Sequence, residues 1–179
     1  MAQFISLLRG INVSGQKKIL MAELRDMFGT LGFENVRSYL QSGNVIFDAS
    51  ETDTDLLSDR IEAGIKETFT FDVPTLVRDA SYFKEVIANN PFQDQTVQDA
   101  KLPYVAFLNR VPQENSKDLK VPEGEAAHFI LDERCIYINY PNGAGRSKLT
   151  TNFFERHLKV TATARNWRTV LALYEMTQK

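Results

Sequence analysis

The chain has 179 residues, 43% of them hydrophobic and 25% charged, with a formal charge of −2. That length holds one domain or two small subdomains, and so ordinary a composition excludes long disordered stretches. The slight negative charge excludes a protein that is basic overall, so contact with nucleic acid would have to come from a local patch.

Gln3 to Leu8 is short, apolar and soon followed by a glycine, which predicts a buried strand. The stretch Leu7-Leu8-Arg9-Gly10-Ile11-Asn12-Val13-Ser14-Gly15-Gln16-Lys17-Lys18 then joins it to a helix. Leu20, Met21, Leu24, Met27, Phe28 and Leu31 recur at helical spacing, and Gly32 is a natural stop. Val36 to Leu40 and Val45 to Phe47 predict two strands around Gln41-Ser42-Gly43-Asn44, a tight hairpin connection. Leu57, Ile61, Ile65 and Phe69, spaced by four, predict a second helix. Val73 to Val77 predicts a fourth strand, with Pro74 near its start. The order strand, helix, strand, strand, helix, strand predicts a ferredoxin-like subdomain over residues 1–79, with both helices on one face of an antiparallel sheet.

Tyr82, Phe83, Val86 and Ile87 predict a third helix, capped by Ser81 and ended by Pro91. Gln93 to Lys101 is polar and reads as loop. Tyr104 to Leu108 is a strong strand. Asn109 to Gly124 holds Pro112, Pro122 and much charge, which predicts a long surface connection. Ala127 to Leu131 and Cys135 to Tyr140 predict a hairpin turned at Asp132-Glu133-Arg134. Pro141-Asn142-Gly143-Ala144-Gly145 opens a loop. Leu149, Phe153, Phe154 and Leu158 fit one closing helix, and Trp167, Val170, Leu171 and Tyr174 fit another. Residues 80–179 thus predict a second α/β subdomain with two C-terminal helices. No linker rich in glycine and serine separates the halves, so they are expected to pack together.

Cys135 is the only cysteine. An internal disulfide and a multi-cysteine metal site are therefore excluded. His128 and His157 lack the spaced partners of a triad or a metal site. No metal and no cofactor is expected. No apolar run approaches the ~20 residues of a membrane span, and Met1-Ala2-Gln3-Phe4 does not open like a signal peptide. The expectation is a cytoplasmic protein with no membrane contact. The sequence sets no oligomeric state.

Three blocks carry a resemblance when taken together. They are Leu7 to Val13, then Tyr39-Leu40-Gln41-Ser42-Gly43-Asn44-Val45-Ile46-Phe47, then Gly145-Arg146-Ser147-Lys148-Leu149 with Thr161 to Trp167. The sequence resembles the bacterial DUF1697 family, a domain of unknown function, over nearly its full length. The resemblance implies an α+β fold of two ferredoxin-like (α/β-plait) subdomains packed together, with antiparallel sheets and helices on one face. That family usually has a glycine where this chain has Ser14. It supplies no activity.

Function therefore rests on the residues. In the first loop Gly10 and Gly15 allow backbone N–H groups to face a concavity, and such nests attract anions. Arg9, Lys17 and Lys18 add charge, and Asn12 adds an amide. The plainer reading is a long connection with solvated lysines. In the hairpin Gln41 and Asn44 present amides, although Ser-Gly-Asn is also ordinary turn chemistry. From Ala144 to Thr169 stand six basic residues, Arg146, Lys148, Arg156, Lys159, Arg165 and Arg168, against one acid, Glu155. That segment nets +5 and leaves −7 on the rest. Such segregation is a footprint for phosphate or carboxylate, unless these cations pair with the surplus acids. Gly143-Ala144-Gly145-Arg146-Ser147-Lys148 suggests a phosphate loop but lacks the Gly-Lys-Ser/Thr ending. Trp167 fits a helix face, and Cys135 fits a buried strand position.

The leading expectation is a protein that binds a phosphate-bearing ligand, an anionic small molecule such as a nucleotide, or nucleic acid. Arg9, Gly10, Asn12, Gln41, Asn44, Arg146, Lys148 and Arg165 are the expected ligand contacts. One alternative is an enzyme on a small phosphorylated metabolite, with Glu155, Glu23 and His157 as its available acids and bases. Another is a non-catalytic interaction module that pairs through a sheet edge.

Overall fold

A computed structural model of the chain describes residues 1–92, 103–113 and 119–179. They form two four-stranded antiparallel sheets and five α-helices, an α+β architecture. The chain groups into two compact units, Met1–Glu85 with Ala172–Lys179, and Val86–Leu171. The expected loop from Gln93 to Lys101, and residues 114–118 of the long connection, lie outside the described residues.

The first unit runs β1 (Ala2–Leu8), α1 (Met21–Thr30), β2 (Glu34–Tyr39), β3 (Asn44–Ala49), α2 (Thr54–Phe69) and β4 (Thr75–Asp79). Its strand order is β2-β3-β1-β4. Period-2 alternation turns Phe4 and Leu8 of β1, Val45 and Phe47 of β3, and Val77 of β4 into one core with the apolar stripes of the helices. From α1 come Leu24, Met27 and Phe28, and from α2 come Leu57, Ile61 and Ile65. Phe47 is the hub, with ring centroids 4.6 Å from Phe33 and 5.3 Å from Phe28. Asp53 caps α2 by accepting from the N–H groups of Asp55 and Leu56. The opposite sheet face is also closed to water, since Ile5, Leu7 and Ile46 are fully buried.

Gly43 shows why the hairpin between β2 and β3 needs its sequence. Gly43 sits at φ +78°, and a Cβ there would stand 2.6 Å from the Leu8 Cβ and 3.0 Å from the Ile11 Cδ1. Its carbonyl accepts the Leu8 N–H at 2.8 Å, which pulls the backbones together. A side chain is therefore excluded both by conformation and by space.

Next comes α3 (Ala80–Ala88). The expected Ser81 cap is corrected here. Asp79 accepts the Tyr82 N–H at 2.8 Å and the Ser81 hydroxyl at 2.6 Å, because Asp79 immediately precedes the helix and Ser81 already lies inside it.

The second sheet contains β5 (Tyr104–Leu108), β6 (His128–Asp132), β7 (Cys135–Asn139) and β8 (Ala162–Asn166), in the order β6-β7-β5-β8. This is the order of the first sheet with the strands renumbered, although the sequence shows no repeat. Between β7 and β8 lies α4 (Thr151–Leu158), capped by the Thr150 hydroxyl, and α5 (Trp167–Thr177) follows β8. Ala106, Leu108, Ile136, Ile138 and Ala162 form a core with Leu149, Phe154 and Leu158. Among the described residues no helix stands between β5 and β6 where α1 stands between β1 and β2.

The strand β8 is a correction to the sequence reading, which ran two helices without a strand between them. Ala162-Thr163-Ala164-Arg165-Asn166 has little intrinsic strand preference. It pairs along the whole of β5, from Tyr104↔Asn166 to Leu108↔Ala162, so tertiary pairing overrides propensity. Cys135 and Trp167 are buried, as expected.

A candidate anion site and a second hollow

Each unit has a hollow beside a glycine-bearing loop. In the first unit the chain leaves β1 through Arg9, whose N–H donates to the Pro74 carbonyl at 2.9 Å. Buried Ile11 anchors the loop, and a miniature hairpin follows. The Asn12 N–H reaches the Lys17 carbonyl, and the Gln16 N–H reaches that of Val13. Ser14 and Gly15 make its tip at φ +50° and +75°, the paired left-handed geometry of a type I′ turn. Asn12 is the staple. Its amide donates to the carbonyls of Ile19 (2.9 Å) and Gln41 (2.8 Å), and its side-chain oxygen accepts the Ile19 N–H (2.9 Å).

These bonds set the two loops around a hollow of about 300 Å³, lined by Asn12, Gly15, Lys18, Ile19, Leu20, Glu23 and Gln41. Asn12 and Gln41 are thus brought together as the sequence expected, but the Asn12 amide is already spent. Arg9 and Gly10 do not line this hollow. Asn44 is fully buried and donates to the Tyr39 carbonyl and the Ser42 hydroxyl. Lys17 donates to the Asp72 carbonyl. Lys18 and Glu23 offer one charge of each sign, so the hollow has no net bias toward anions.

The second unit differs. Tyr140 is buried at the end of β7, and its hydroxyl donates to the Leu149 carbonyl at 2.7 Å, which closes the intervening loop. Burial pushes that phenol well above its ordinary range. Gly143 turns the loop at φ +82°, and Ala144–Arg146 forms one 3-10 turn. The hollow beside it, about 210 Å³, is lined by Glu125, Tyr140, Asn142, Gly143, Arg146, Ser147 and Lys148 among others.

Glu125 organises the floor. One carboxylate oxygen accepts the Ala127 N–H at 2.9 Å. The other accepts the Lys148 N–H at 2.6 Å and the Ser147 hydroxyl at 3.0 Å. The two N–H donors, chiefly that of Ala127, hold the carboxyl below the usual glutamate range. The Lys148 ammonium donates to the Glu123 carbonyl at 3.1 Å. The Arg146 backbone N–H donates to the Gly143 carbonyl at 3.4 Å, while its exposed side chain makes no hydrogen bond or ion pair with a described residue. Glu125 escaped the sequence reading, since nothing in its spacing announces its partners Ser147 and Lys148 some twenty residues on.

The wider basic segment is uncompensated. Arg146, Lys148, Arg156, Lys159 and Arg168 are exposed, and none pairs with a carboxylate among the described residues. The segment's one acid, Glu155, is turned inward, where it accepts the Ala162 N–H. Arg165 is different in kind. It lies in β8 at 7% exposure, donates to the Thr163 hydroxyl and the Ala164 carbonyl, and lines neither hollow. Burial pulls its guanidinium down to about 10. The acids and bases named for catalysis do not gather here. Glu23 lines the other hollow, and His157 bonds through Nδ1 with the Phe153 carbonyl of its own helix.

Fold and site together define an α+β protein with two sheets of one strand order and, on the second unit, a hollow lined by the exposed cations Arg146 and Lys148. The chain belongs to the family DUF1697, described as a protein of unknown function, whose match spans residues 1–137. It is similar to the solved structure of a conserved bacterial protein, SP0830 from Streptococcus pneumoniae, with a TM-score of 0.72 and 25% identity. That likeness covers 100% of this chain and 99% of the other. No curated protein matches the chain. No helix among the described residues is long and apolar enough to cross a membrane.

Proposed function

We propose that the chain binds a phosphate-bearing ligand, a nucleotide or nucleic acid, at the basic hollow of the second unit. The observation that carries this reading is the row of exposed cations between residues 146 and 168 without a described carboxylate partner. On a chain with surplus acid, cations left unpaired are available to an external anion. Arg146 supplies a planar fork of donors suited to phosphate oxygens. Lys148 supplies a point charge from the same wall. The hollow, at about 210 Å³, is smaller than the ~300–1,000 Å³ that engulfs a drug-sized ligand. It takes the phosphate group and leaves the remainder of the ligand on the surface.

The test is a thermal-shift series with nucleotides, short RNA and short DNA across salt concentration. Phosphate-bearing ligands are expected to raise the melting temperature, and Arg146→Ala to weaken binding about tenfold, or ~1.4 kcal/mol. A steep salt slope marks nucleic acid and a shallow one a small molecule. Flat melting curves with every ligand end the proposal.

A further inference from the structure

We propose that Glu125 is a built-in competitor for the ligand's phosphate, seated in the anion site of the second hollow until the ligand displaces it. This rests on reading that hollow as a phosphate site and adds the group that controls entry. Two backbone N–H groups and one hydroxyl converge on the Glu125 carboxylate at 2.6–3.0 Å. Oriented backbone N–H groups joined by a hydroxyl are also what cradles phosphate oxygens in anion-binding loops. The seat therefore exists, and a side chain of this protein fills it.

The surroundings make the carboxylate removable. Glu125 belongs to no strand or helix, and Glu123, Gly124 and Ala126 around it are exposed. Gly124 precedes it at φ +75°, with nothing within 4 Å of where a Cβ would stand. The turn is closed by one bond, from the Glu125 N–H to the Pro122 carbonyl at 3.1 Å. The side chain itself is only partly buried, and it meets the buried Ala127 through that residue's N–H. What is left behind is two N–H groups and the Ser147 hydroxyl, with Arg146 and Lys148 on the same wall. Arg146 lines the hollow without pairing to Glu125, so the seated carboxylate is held by neutral donors alone. A phosphate dianion gains those same donors and the guanidinium as well. That difference lets the ligand win against a carboxylate that is always present.

The experiment titrates inorganic phosphate into the full-length wild type and Glu125→Ala, read by phosphorus NMR line width and by melting temperature. The variant is expected to melt lower without added anion, to bind phosphate at least tenfold more tightly, and to recover part of its lost melting temperature in phosphate or acetate. A folded variant with wild-type phosphate affinity overturns the proposal. Should the alanine variant fail to fold, Glu125→Gln keeps the shape and removes the charge. Its phosphate affinity must then rise by at least threefold, and no rise overturns the proposal equally. The two readings fail separately. If wild type ignores every nucleotide and oligonucleotide while the variant gains phosphate binding, the seat stands and the proposed function falls. If wild type binds such ligands and the variant gains nothing, the hollow keeps its function and Glu125 is only a staple.

Discussion

The loop after β1 and the loop after β7 are built from the same kinds of residue, and the protein spends them differently. Both carry glycine at positive φ (Gly10 and Gly15 in the first, Gly143 in the second), an asparagine and cations. In the first, the amide works as an internal fastener: Asn12 ties Ile19 to Gln41 of the neighbouring hairpin, which Asn44 at the start of β3 closes from inside. The second is fastened by an acid from the segment before β6, Glu125, and its cations remain outside without described carboxylate partners. Glycine and asparagine in a loop thus report how the backbone is held. Unpaired charge reports what the surface can attract.

This contrast can be broken by substitution. Gly43→Ala is expected to have the largest effect. It strains a left-handed residue and drives a methyl into Leu8 and Ile11, costing roughly 2–4 kcal/mol in a denaturant titration. A loss under ~1 kcal/mol would mean that the close approach of β1 and the hairpin is not required. Asn12→Ala comes next, at roughly 2–3 kcal/mol, because it leaves both the N–H and the carbonyl of Ile19 short of a partner. Gln41→Ala is the control. Asn12 reaches only its backbone carbonyl, so stability should change by less than ~0.5 kcal/mol. A large loss for Gln41 and a small one for Asn12 would reverse the assignment of fastener and bystander. The smallest effect runs the other way. Ser14 holds φ +50° at the tip of the miniature hairpin, and Ser14→Gly should stabilise the first unit by roughly 0.5–1 kcal/mol. A loss of stability would mean that the serine side chain does something more there than tolerate strain.

Much of the fold was legible because periodicity is a strong signal where one face is buried. Leu57, Ile61 and Ile65 point one way from α2, and Val105 to Leu108 of β5 are buried. The strand β8 was not legible, because Ala162 to Asn166 owes its extended form to its neighbour β5. The cap of α3 was misread by two residues for a local reason: Ser81 and Asp79 both suit a helix start, and only geometry shows that the carboxylate takes the N–H. Of the expected ligand contacts, Arg146 and Lys148 line the second hollow and Asn12 and Gln41 the first. Arg165 looked like its basic neighbours in composition, yet its strand position carries it into the interior. Burial of a long cation depends on which face of a strand it occupies, and that strand was itself invisible.

The most direct measurement is the affinity of wild type and Arg146→Ala for a nucleotide panel at two salt concentrations. Binding that weakens about tenfold in the variant, while its unliganded melting temperature stays unchanged, is the predicted result. Equal affinity in both proteins, or no ligand-dependent shift in either, would contradict it.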